Sequence, residues 1–239
     1  MNILEFSGSN PRISLLARST STGPEAELVR AFKPYIPACF RWQRGDVAIF
    51  NEPKIETGFP DLVAAQYSPE SFAEWSQARL KLIPIDLKVI HHLLQVKGAD
   101  SETLLPTLGI GARVLLASLE RLLDANMITR FKGKWQPRSR KAVFGIRSIM
   151  AVEAKMKNWL DAFHQGQLNQ WFASESYVLS PVEKPQASVL DRSRKTGVGI
   201  LLLNGTRVRC LRKAEKVKIP ASYGSWLFNE WIGRRLHES

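Results

Sequence analysis

The stretch Ile149-Met150-Ala151-Val152-Glu153-Ala154-Lys155-Met156 constrains the fold of this chain more than any other. It follows closely on Val143-Phe144-Gly145-Ile146, and the whole of Val143 to Met156 reads as one buried strand. Alternate residues of a strand share a face, so Glu153 and Lys155 point to the same side. A carboxylate and an ammonium at the end of an apolar strand are costly to bury unless something pairs with them or uses them. Glu-x-Lys is common by chance, and its plain reading is an ion pair on a strand edge. What gives it weight is whether the chain supplies partners.

A partner lies far upstream. In Phe59-Pro60-Asp61-Leu62-Val63-Ala64-Ala65, Asp61 stands just after a proline at the mouth of a second apolar strand. Pro60-Asp61 and Glu153-Ala154-Lys155 resemble the two motifs of the PD-(D/E)xK nuclease superfamily. The segment Asn158 to Gln165 resembles the helix that often follows Glu-x-Lys there and carries a glutamine. Tyr177-Val178-Leu179 resembles the next core strand. The resemblance covers most of the chain, with the order of elements as its main support. It implies a restriction-endonuclease-like α/β fold, a mixed sheet flanked by helices. It also implies that Asp61 and Glu153 are hard oxygen ligands for Mg²⁺, with Mn²⁺ a substitute, and that the Ala154 carbonyl adds a ligand. Lys155 would position the attacking water or stabilise the transition state, and Gln165 would hold that water or a phosphate through its amide.

Bulk properties agree with a nucleic-acid partner. A formal charge of +12 and a pI of about 10.0 favour a polyanion. No apolar run approaches a membrane span and the first residues form no signal peptide, so no membrane partner and a cytoplasmic location are expected. Cys39 and Cys210 lack C-x-x-C spacing, which indicates neither a disulfide framework nor a zinc site. His91-His92 lies in an apolar helix with no third ligand in sight, and no phosphate-binding glycine loop occurs.

The N-terminal residues to Thr22 read as an irregular arm with at most one edge strand. Thr22-Gly23-Pro24-Glu25 starts a helix with a capping-box pattern and Leu28, Val29, Phe32 and Ile36 on its apolar stripe. Glu25 falls on the inward side. Its plain role is a favourable charge at a helix N-terminus; the resemblance makes it a secondary carboxylate of the site. From Pro84 the pattern changes to three short helices and a basic hairpin turning at Lys132-Gly133-Lys134, which resembles a winged helix-turn-helix. In that reading Arg113, Arg121, Arg130, Lys132, Lys134, Arg138, Arg140 and Lys141 face a DNA phosphate backbone. The insertion accounts for the unusually long gap between Asp61 and Glu153, because a compact insertion is tolerable where its ends lie close together. The expected division is therefore 1–83 nuclease core, 84–141 inserted winged helix, and 142–239 nuclease core again. The second core part includes the strand Gly197 to Leu203, the Asn204-Gly205 hairpin turn and a last helix carrying Trp226, Leu227, Trp231 and Ile232.

The function these features point to is a Mg²⁺-dependent endonuclease acting on double-stranded DNA. Restriction, repair and mobile-element processing such as transposition are equally served, and a homodimer or protein partners in a DNA-processing complex remain open. The rival is a non-catalytic winged-helix DNA-binding regulator, or a subunit of a larger complex, that uses the core as a scaffold. An RNA-binding or tRNA-processing protein is a third reading, resting on charge alone.

Overall fold

The computed structural model describes residues 1–18, 21–40 and 45–238. In chain order the principal elements are β1 (Ile3–Phe6), α1 (Pro24–Phe32), β2 (Asp46–Asn51), β3 (Leu62–Tyr67), α2 (Pro84–Val96), α3 (Ser101–Leu108), α4 (Ala112–Asp124), β4 (Ile128–Phe131), β5 (Lys134–Pro137), β6 (Ile146–Ala154), α5 (Trp159–Asn169), β7 (Glu175–Ser180), α6 (Ala187–Thr196), β8 (Gly199–Asn204), β9 (Arg207–Arg212) and α7 (Tyr223–Leu236). They form two compact units, 1–67 with 146–221 and 68–145 with 222–239.

The first unit is α/β. Its seven-stranded sheet has the order β1-β2-β3-β6-β7-β8-β9. The β6–β7 and β7–β8 pairs are parallel, β3 runs antiparallel to both β2 and β6, and the β8–β9 hairpin is antiparallel about the Asn204-Gly205 turn. The strands alternate between two buried faces. Met150, Val152, Ala154, Tyr177, Leu179, Leu201 and Leu203 pack with Leu28, Val29 and Phe32 of α1. Val178, Ile200 and Leu202 pack with Ala162 and Phe163 of α5 and Val189 of α6. Two-sided burial explains why β3 and β6 read as continuous apolar runs. It also puts Glu153 on the α5 side of the sheet, out of phase with Val152 and Ala154.

Two local expectations change. The edge strand of the arm is Ile3–Phe6, paired parallel to β2, whereas Ile13 and Leu15 are buried beside single bridges, Asn10 to Leu15 and Ala17 to Pro53. The capping box at α1 does not form. Gly23 is the N-cap, with no side-chain cap bond, and the helix begins at Pro24.

In the second unit, α2, α3 and α4 bury Leu87, Ile90, Leu93, Leu104, Leu115, Leu119 and Leu122 together. The β4–β5 hairpin follows, with both turn residues, Lys132 at φ 48° and Gly133 at φ 79°, in the left-handed region. This is the twist a two-residue hairpin needs. The helix–helix–helix–hairpin order is the one expected. The unit extends beyond 84–141, however, and it includes α7, which the sequence reading placed with the core. Glu230 of α7 pairs with buried Arg79 at 2.9 Å, Asn229 accepts from the Gly145 N–H at 2.8 Å, and Trp226 meets Phe144 edge-on. Gly233 lies so close to the Trp75 ring that no Cβ would fit.

The sequence enters and leaves the 68–145 insertion between neighbouring strands, since Tyr67 is the register partner of Ile146. Among the described residues no single helix is long and apolar enough to cross a membrane.

Candidate active site

Antiparallel pairing brings the two motifs together. The β3–β6 register ends at Leu62 opposite Val152, so the next step places Asp61 across from Glu153. Cross-strand neighbours of this kind have Cβ atoms about 5 Å apart. Asp61 Oδ2 accepts a hydrogen bond from the Ala154 N–H at 2.7 Å, tying the start of β3 to the end of β6. The β2–β3 register continues the row: Glu52, one residue past Asn51, donates its N–H to the Asp61 carbonyl at 3.2 Å.

Glu153 is buried, and its Oε1 accepts from Asn169 Nδ2 of α5 at 2.6 Å. Lys155 follows β6 and is held from both layers, 3.2 Å from Glu25 Oε2 of α1 and 3.6 Å from Asp161 Oδ2 of α5. On α5, Asp161, Gln165 and Asn169 are four residues apart and therefore share one side. All of these residues line a cleft of about 630 Å³ within the first unit, together with Arg18, Arg30 and Lys33.

Burial dominates the electrostatics. Desolvation pushes the Asp61 carboxyl above its usual range, and the Ala154 N–H and the Lys155 charge only partly offset it, with Glu25 and Glu52 adding to the rise. Desolvation and the Asp61 charge push Glu153 up further, against the Asn169 hydrogen bond and Lys155. Burial works against the Lys155 ammonium, but Glu25, Asp61 and Asp161 together hold its pKa above the ordinary value. Lys155 only partly compensates the two desolvated carboxyls side by side, which leaves a need for further positive charge. A hard divalent cation would supply it, and oxygen donors suit Mg²⁺ or Mn²⁺ rather than a thiophilic metal. Among the described residues no group of three or more His, Cys, Asp or Glu is placed to hold a metal. Asp61 and Glu153 fit a cation of the Mg²⁺ type, which binds through one or two carboxylates and takes its remaining ligands from water and substrate.

Asp61, Glu153, Lys155, Gln165 and Glu25, all expected from sequence, thus meet in one cleft. Glu25 serves there as an ion-pair partner of Lys155. Gln165 Oε1 is buried and has no hydrogen-bond partner among the described residues. Sequence reading missed Asp161 and Asn169. Their spacing, one helical turn to either side of Gln165, puts them on its side of the helix, but only the packing of α5 shows that this side meets Glu153 and Lys155.

The residues expected to face DNA divide. Arg113 is exposed on α4, and Arg130, Lys132, Lys134, Arg138, Arg140 and Lys141 are exposed on or just after the hairpin. Arg130 lies over the Trp135 ring and Lys132 over Phe131, which fixes their direction. Arg121 is committed elsewhere. Its Nε and Nη2 reach both oxygens of fully buried Asp86 at 2.8 and 2.7 Å, and Asp86 Oδ2 also caps the Ile83 N–H of α2. Its role is to join α4 to α2. The outer stripe of α4, formed by Arg113, Leu116, Glu120 and Leu123, carries one positive charge, one negative charge and two exposed leucines, so the exposed cations of this unit are concentrated on and just after the hairpin.

Compared with known proteins, the chain matches no family model, no curated protein and no solved structure.

Proposed function

We propose that this chain is a metal-dependent DNA endonuclease of the PD-(D/E)xK type, with a winged-helix unit inserted between two neighbouring strands of its core. The observation that carries this reading is the meeting of Asp61, Glu153 and Lys155 at adjacent strand ends, where both carboxyls are desolvated and raised. A scaffold has no physical need for such an arrangement, which is costly to bury. Asp61 and Glu153 would hold the cation. A cation of the Mg²⁺ type held by these two carboxyls would supply charge neutralisation at the phosphate and a more acidic water. Lys155, steadied by Glu25 and Asp161, faces the charge that grows on the phosphate during hydrolysis. The unpartnered Gln165 Oε1 is an acceptor suited to orienting the attacking water. The exposed cations of the hairpin in the second unit supply sequence-independent grip on the duplex.

The test is cleavage of supercoiled plasmid with Mg²⁺ or Mn²⁺ by the wild type, Glu153→Gln and Lys155→Ala. Removal of groups that act as a unit costs several orders of magnitude, so nicking or linearisation by the wild type and none by either variant is expected. Equal cutting by all three would overturn the site. Tight binding of duplex by a wild type that cuts under no metal condition would leave a DNA-binding regulator or subunit in its place.

A further inference from the structure

The acidic cleft has to admit a polyanion, and its own carboxylates work against that. Among the described residues four Lys or Arg side chains line it: Arg18, Arg30, Lys33 and Lys155. Lys33 is committed to Glu5 at 2.7 Å, and Lys155 to Glu25 and Asp161. Arg30 projects from α1, exposed, and makes no ion pair with a described residue. Arg18 is built in more deliberately. Its N–H donates to the Glu52 carbonyl at 3.0 Å, the Lys54 N–H donates to Leu16, and Ala17 exchanges hydrogen bonds with the Ser9 hydroxyl on its other side. The backbone on its N-terminal side is therefore pinned to the loop that leads into Asp61. Its guanidinium lies 4.6 Å from the centre of the Phe59 ring, two residues before Asp61. Glu52 Oε2 forms an ion pair with it at 3.7 Å, longer than a direct hydrogen bond, and the side chain stays 54% exposed. The result is a guanidinium held over the Phe59 ring, with donors left over at the mouth of the cleft. A planar fork of this kind suits phosphate oxygens, and stacking lowers the entropy lost on binding.

We propose that Arg18 and Arg30 bind the nucleic-acid backbone at phosphates flanking the one that reaches Asp61 and Glu153. This is a phosphate-binding site of the first unit itself, separate from the basic hairpin of the second. It rests on the nuclease reading of the cleft for its ligand, and on geometry for its residues.

The experiment measures affinity for a short labelled duplex by fluorescence anisotropy in EDTA, across about 50 to 200 mM KCl. It compares the wild type, Arg18→Gln/Arg30→Gln and Arg18→Lys/Arg30→Lys, with thermal melts to establish that all three are folded. Each phosphate that is no longer neutralised lowers the slope of log K against log salt by about 0.9, so the glutamine variant should fall by about 1.8 and the lysine variant by little. A glutamine variant with the wild-type slope overturns the proposal, as does a wild type with no measurable affinity. The two readings separate cleanly. A wild type that cuts plasmid while the slope stays unchanged removes the backbone site and keeps the nuclease; a reduced slope in a protein that never cuts does the reverse.

Discussion

Asp61 and Glu153 face a conflict that their surroundings leave unresolved: burial raises both, the Asp61 charge raises Glu153 further, and Glu25 and Glu52 add to the rise of Asp61. The consequence for stability has a definite sign. A carboxyl whose pKa is higher folded than unfolded binds its proton more tightly in the folded state, so stability falls as pH rises from the ordinary carboxylate range through the raised folded value. In metal-free buffer the protein should therefore melt at lower temperature at alkaline pH than at mildly acidic pH. Glu153→Gln should flatten that dependence and gain stability on the alkaline side. Added Mg²⁺ should raise the alkaline melting temperature of the wild type and not of the variant. Differential scanning calorimetry over the pH series checks both, and a variant as pH-sensitive as the wild type would remove the coupled pair as the cause. The residues of this site were legible in sequence where a motif named them. Asp161 and Asn169 were not, because Asp and Asn on a helix ordinarily face solvent, and only packing against β6 turns them to Lys155 and Glu153.

At the scale of elements, periodicity identified the helices and strands well and their interactions less well. The stripe Leu115, Leu119, Leu122 and Leu123 of α4 announced a helix with one buried face; the first three are buried as it requires, whereas Leu123 is exposed on the outer side. Arg121 looked like a ligand for phosphate because its partner, Asp86, stands 35 residues earlier. The fork pairing between them joins α4 to the first turn of α2. Asp86→Ala would leave a guanidinium and the Ile83 N–H without their acceptor. It should destabilise the protein by roughly 1.5–3 kcal/mol, the range for hydrogen bonds to charged groups, read as a shift in the urea midpoint. A variant within experimental error of the wild type would mean that water replaces the carboxylate at little loss. The same geometry makes Arg121→Gln a structural change, so weaker DNA affinity in that variant should come with lower stability.

For the whole molecule, the division into units makes a stronger claim than the motifs do. Tyr67 and Ile146 are register partners at the point where 68–145 departs from the sheet. A two-residue Asn-Gly turn could therefore close β3 onto β6 directly. A chain of residues 1–221 with 68–145 replaced by that turn should keep the seven-stranded sheet and unfold cooperatively, as followed by circular dichroism against temperature. Absence of a cooperative transition would show that the first unit does not fold alone. Removing 68–145 while keeping 222–239 should instead aggregate, because α7 would expose Trp226, Phe228, Trp231 and Ile232, which are buried in the second unit.

By itself the sequence determined the local layers of this protein: apolar runs for strands buried on both faces, helical stripes, the Asn204-Gly205 and Lys132-Gly133 turns, and the motif residues of the cleft. Those follow from periodicity and turn chemistry, which act over a few residues. Tertiary structure alone decided which distant partners meet. It set Asp61 opposite Glu153 across 92 positions of chain, committed Arg121 to Asp86, brought Asn169 to Glu153 and moved α7 into the second unit. A buried charge or an all-round apolar helix states only that it needs a partner. Which partner it finds depends on strand register and helix packing, and neither is written in any one stretch of the chain.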